Sequence, residues 1–113
     1  MSKSLMRKIL SRNIDTLALF CCQEPITGYG LMGQIEQVFG IRLGPGLVYS
    51  SLMRLERDAL LLHQFVEGKR GTRKACSYAI TEKGRAGFLE SIHGLRLLCQ
   101  AFKKKGESGH DTR

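Results

Sequence analysis

Tryptophan is absent from the 113 residues, which excludes any ligand site built by stacking between indole rings. Proline occurs only at Pro25 and Pro45, and each marks a helix boundary. No apolar run approaches the ~18–20 residues that cross a bilayer as a helix, so no membrane association is expected. The start, Met1-Ser2-Lys3-Ser4, has no apolar signal-type core, because charge returns at Arg7, Lys8 and Arg12. A cytoplasmic location is the expectation. Acidic residues are scarce: ten Asp and Glu face eighteen Lys and Arg, a net charge of +8. So basic a chain calls for an anionic partner, and nucleic acid is the commonest for a small intracellular domain.

Cysteine is present without a metal-binding pattern. Cys21, Cys22, Cys76 and Cys99 form no C-x-x-C pair, and His63, His93 and His110 do not join them at ligand spacing. Neither a metal site nor a cofactor is expected. Cys21 and Cys22 are most simply small core residues. Enzyme chemistry also lacks its parts. Gly28-Tyr29-Gly30 precedes no basic phosphate-binding residue, no serine sits in a nucleophile elbow, and Asp15, Glu24, Glu36, Glu56 and Asp58 occupy ordinary helix-surface positions. The chain is not expected to be an enzyme.

What is there is helical periodicity, then a change of period. From about Ser4 to Cys22, Met6, Leu10, Ile14, Leu17 and Cys21 recur at helical spacing, and Pro25 closes the segment. Thr27 is a good N-cap for a second helix running to about Phe39, with Leu31, Ile35 and Val38 on its inner side and Gly40 at its end. A third helix, Pro45 to Asp58, carries an inward stripe of Val48, Leu52, Leu55 and Ala59. Two short helices joined by a glycine-bearing link form a helix-turn-helix pattern. Leu60–Glu67 and Ala75–Ile80 then have strand character, joined by a polar loop rich in Lys and Arg. Thr81 can cap a last helix from Glu82 to about Lys105. On it Phe88, Ile92, Leu95, Cys99 and Phe102 repeat as a two-heptad seam.

The expected fold is mainly α with a small β-hairpin: a winged helix-turn-helix plus a long C-terminal dimerisation helix. Residues 1–80 make the DNA-binding domain, 81–105 the dimerisation helix of the same compact domain, and 106–113 a disordered tail. The outer face of the third helix presents Leu47, Ser50, Ser51, Arg54 and Arg57. Its N-terminal residues would reach base edges in the major groove, with short serines allowing close approach. Arg54 can serve a guanine or a phosphate, or pair with a neighbouring carboxylate. Lys69, Arg70, Arg73 and Lys74 on the wing suit phosphates or the minor groove, and Tyr29 and Tyr49 stand where a phenol can donate to a phosphate. Much of the seam is expected at a homodimer interface, with packing against its own domain as the alternative.

These residues resemble the PadR family of winged-helix repressors. Thr27-Gly28-Tyr29-Gly30 is similar to the family's pattern at the second helix. The stretch Leu43-Gly44-Pro45-Gly46-Leu47-Val48-Tyr49-Ser50-Ser51-Leu52-Met53-Arg54-Leu55-Glu56-Arg57-Asp58-Ala59-Leu60 resembles its recognition segment. Arg73-Lys74, Tyr78, Ile80-Thr81 and Gly84 match the end of its wing, so the likeness covers about residues 8 to 90. The resemblance implies a dimer built on the last helix together with the first, which brings Met6 and Leu10 to the interface, a palindromic double-stranded DNA operator, and in some members a small aromatic effector near the dimer interface. Three positions depart from the family: Leu47 stands for a threonine, Ser50 for a proline and Ala59 for a glycine. Two other readings fit the residues: a winged-helix protein-interaction module, and a non-specific architectural DNA-binding protein.

Overall fold

A computed structural model describes residues 2–67 and 74–111. Two helices open the chain, α1 (Lys3–Arg12) and α2 (Ile14–Cys21), followed by the short strand β1 (Ile26–Thr27). Then come α3 (Gly28–Phe39), α4 (Pro45–Arg57), the strands β2 (Leu61–Glu67) and β3 (Lys74–Ile80), and the long α5 (Glu82–Asp111). The fold is the expected winged helix-turn-helix with a long C-terminal helix, and it differs from the sequence reading in five places.

The single first helix is two, bent at Asn13 (φ −110°, ψ 22°). The Ile9 carbonyl accepts from both the Asn13 amide, at 2.8 Å, and the Asn13 backbone N–H, at 3.1 Å, so this residue caps the end of α1. The sheet has a third strand: β1 pairs antiparallel with β3, Ile26 opposite Tyr78 and Thr27 opposite Ser77, giving the order β1-β3-β2. Val38 is 68% exposed, and Met32 takes the inward place beside Leu31 and Ile35. Ala59 leaves the inward stripe because it lies beyond the end of α4, exposed. Finally, α5 continues past Lys105 to Asp111, into the segment expected to be a tail; no proline interrupts it.

The caps show why the helices start and stop where they do. Thr27 Oγ1 accepts from Gly30 N at 3.0 Å, and Thr81 Oγ1 accepts from Gly84 N at 2.9 Å. Gly40 closes α3 in the left-handed region at φ 69°. At the end of α4, Leu60 N donates to Leu55 O at 2.8 Å and Ala59 N to Glu56 O at 2.9 Å. That is a Schellman closure, with Ala59 at φ 63° in the position glycine favours.

One core joins these elements. Leu10, Ile14, Ala18 and Leu19 pack with Leu31, Met32, Ile35, Ile41, Leu43, Val48, Leu52, Leu55, Leu61 and Ile80. Cys21 and Cys22 are buried in it, and burial pushes both thiols up, Cys22 to about 12. The four cysteines are unpaired. Behind α4 the turn into α5 is tight. A Cβ on Gly84 would overlap the Leu60 carbonyl oxygen, a backbone atom that also accepts from Thr81 N.

Candidate nucleic-acid interface

Burying Val48, Leu52 and Leu55 fixes which side of α4 faces outward. Ser50, Met53, Arg54 and Arg57 line one shallow concavity on that side. The helix-turn-helix angle depends on a close approach: the Tyr49 ring lies where a Cβ on Gly28 would be, so α4 packs onto the first turn of α3 through this glycine. Tyr49 is therefore half-buried, whereas Tyr29, one residue along α3, is 71% exposed.

Two expected reading positions change. Ser51 is fully buried, not outward, and its hydroxyl donates to Asp15 Oδ1 of α2 at 2.6 Å. The rotation that seats Leu52 and Leu55 in the core carries Ser51 inward with them. Leu47 is half-buried against the core. Arg54 remains at the surface but not free: Nε donates to Asp15 Oδ2 at 3.2 Å and a terminal nitrogen to Oδ1 at 2.5 Å. Partial burial alone would raise the Asp15 carboxyl; hydrogen bonds from Arg54 and Ser51 and the Arg54 charge outweigh it and hold the carboxyl below its ordinary range. Arg57 pairs with Asp58 at 3.4 Å.

Sequence reasoning missed Met53 and Asp15. Met53 is 65% exposed, and its signal was available: it falls off the Val48-Leu52-Leu55 stripe. Asp15 gives no local signal, since its partners Ser51 and Arg54 lie 36 and 39 residues away.

The wing is anchored to α4. Glu56 accepts from His63 N at 3.2 Å and also contacts His63 Nδ1, and the His63 ring packs edge-on against Phe65 with centroids 5.5 Å apart. Pairing of β2 with β3 runs from Leu61–Ile80 to Glu67–Lys74, so the backbone of Lys74 begins β3 at the far end of the hairpin. Lys69, Arg70 and Arg73 lie outside the described residues.

At the opposite end, Leu10 lies in the core of its own chain, and Met6 is half-buried against that core. Phe88 packs on Phe20 of α2 with ring centroids 5.9 Å apart. Phe88, Ile92 and Leu95 form, with Leu17 and Phe20, an apolar groove between α2 and α5. Phe88 and Ile92 of the seam are thus half-buried against their own domain, whereas Leu95 at the groove is exposed. Beyond it Cys99 and Phe102 are exposed, as are Leu89, Leu97 and Leu98.

This architecture is shared with known proteins. The profile of the transcriptional regulator PadR-like family matches residues 17–90. The chain belongs to the PadR-like family of transcriptional regulators. A PadR family transcriptional regulator from Eggerthella lenta superposes with a TM-score of 0.79 at 27% identity, over 89% of this chain and 88% of that one. Bacillus subtilis PadR, solved in complex with operator DNA, shares the fold at 13% identity with a TM-score of 0.61, over 70% of this chain and 46% of that one. An uncharacterized 37.1 kDa protein of transposon TN4556 from Streptomyces fradiae is 38% identical over 90 residues. Those residues are 77% of this chain but only 25% of that relative's length. Among the described residues no helix is long and apolar enough to cross a membrane.

Proposed function

We propose that the protein is a sequence-specific double-stranded DNA-binding regulator, a repressor, that works as a homodimer on a palindromic operator. The observation that carries this is the outer face of α4. Ser50 and Met53 lie exposed there with Arg54 and Arg57. A helix with a small polar residue early and cations late matches a recognition helix, whose first turns meet base edges while its end meets phosphate. Ser50 and Met53 are the base-reading positions in this account. Tyr29, Arg54 and the wing cations Lys69, Arg70, Arg73 and Lys74 hold the backbone; Leu47 and Tyr49 set the helix in place.

Twofold symmetry is supported by α5. Leu97, Leu98 and Phe102 are each at least half exposed, an apolar stretch on a helix that projects well beyond the core. Exposed leucines and a phenylalanine so close together mark an interaction surface. Leu5 and Ile9 of α1 add 50% and 41% exposed apolar side chains to the same interface in this reading. The groove between α2 and α5, lined by Phe20 and Phe88, is where a small aromatic effector would bear on the spacing of the two α4 helices.

Selection of bound duplexes from a random pool tests the proposal. The expected result is an inverted repeat whose half-sites lie about one helical turn, ~34 Å, or a multiple of it apart. Binding that enriches no sequence would leave an architectural protein, and no binding at low salt would leave an interaction module.

A further inference from the structure

We infer that Asp15 is a positioning residue for DNA recognition, acting through Arg54: it fixes the arginine so that the guanidinium edge left free meets a backbone phosphate. The inference rests on the DNA-binding reading above and goes beyond it, because Asp15 belongs to α2 and not to the recognition helix.

Asp15 lies in the first turn of α2, beneath α4. One of its oxygens, Oδ1, accepts from the buried Ser51 hydroxyl and from a terminal nitrogen of Arg54; Oδ2 accepts from Arg54 Nε. The carboxylate therefore does two things at once. It satisfies a hydroxyl that has no water to bond, which locks the rotation of α4, and it takes one edge of the guanidinium fork. Guanidinium offers a second edge, between its two terminal nitrogens, and that edge faces away from Asp15. Arg54 is in the last turn of α4. It follows directly on the base-reading positions, where the helix passes from base edges to the phosphate backbone, and its free edge suits a phosphate there.

The pair also has a charge consequence. Arg54 linked to Asp15 is close to neutral as a unit, so it attracts DNA by directed hydrogen bonds more than by net charge. A duplex in the wrong register loses those bonds and still meets the carboxylate. Asp15 on this account favours the correct register at the expense of indiscriminate binding.

The test uses the full-length protein, a duplex recovered from the random pool and a shuffled duplex of the same length. Asp15→Asn keeps the shape and removes the charge. Affinity for the shuffled duplex is expected to rise, while the ratio of selected to shuffled affinity falls about tenfold, the lower range for a charge-assisted hydrogen bond. In an Arg54→Ala background the same change should leave that ratio unaltered, as a shared pathway requires. A purely structural role would weaken both duplexes together and would persist without Arg54; either result overturns the inference. If the Asn variant does not fold, Arg54→Lys decides, because lysine keeps the ion pair and lacks the second edge. A Lys variant with an unchanged ratio overturns the inference too. A parent protein that does not distinguish the duplexes refutes the DNA reading itself, which separates the two failures.

Discussion

Ala59 offers a sharp test of how α4 is held. It is the one non-glycine residue at positive φ among the described residues, and it sits in a closure whose two hydrogen bonds, Leu60 N to Leu55 O and Ala59 N to Glu56 O, are both formed. The left-handed region costs an L-residue about 1–2 kcal/mol because Cβ crowds the neighbouring carbonyl. Glycine escapes that cost but gives back about 0.5–1 kcal/mol through the greater freedom of its unfolded chain. Ala59→Gly should therefore stabilise the protein by about 0.5–1 kcal/mol. For a domain of this size that is a rise in Tm of about 3–6 °C. Urea unfolding at fixed protein concentration checks it: the midpoint should move up while the slope stays the same, since the buried surface does not change. An unchanged or lower midpoint would refute the claim that Ala59 strains the end of α4. Ala59 is exposed and the helix keeps its caps, so DNA affinity should change little.

The opposite outcome is expected at Gly84, where a Cβ would meet the Leu60 backbone and Ile80 Cγ1 at 2.7 Å. Gly84→Ala should cost about 2–3 kcal/mol, the upper range for overpacking, read in the same urea titration. Phe102→Asp should turn the proposed dimer into a monomer by sedimentation while the secondary structure by circular dichroism persists, because the side chain is 68% exposed within one chain. Acid stability should carry the signature of Asp15. Its carboxyl is depressed from an ordinary 3.8, so it contributes stability that is present above that value and lost as pH falls through the native one. Asp15→Asn should flatten the acid limb of a stability-against-pH curve and leave the slope near neutrality unchanged.

Much of this was legible because the strongest signals were periodic or chemical. Val48, Leu52 and Leu55 announced the buried side of α4, and Thr27, Gly40, Pro45 and Thr81 marked helix ends by properties each residue carries alone. What escaped was set by contacts distant in sequence. A two-residue strand at Ile26–Thr27 has no period to detect, and its pairing is decided by Tyr78 and Ser77. The bend at Asn13 interrupts no apolar stripe, so the stripe ran on past it. Ser51 stands beside Ser50, yet one is buried and one exposed; a helix turns about 100° per residue, and only the packed core tells which of two neighbours lies at the boundary. Asp15 looked like any surface acid until α4 was laid over it. The glycine-to-alanine departure at Ala59 was visible in the sequence, but its meaning came from the backbone angle.

The central claim is that the exposed face of α4 reads DNA sequence. Selection from a random duplex pool, run in parallel on the parent and on a Ser50→Ala, Met53→Ala double variant, addresses it most directly. The account predicts that the preferred bases change at the symmetric positions beneath α4 while half-site spacing, set by the dimer, stays the same. Recovery of the same bases by both proteins would contradict it and place the reading surface elsewhere.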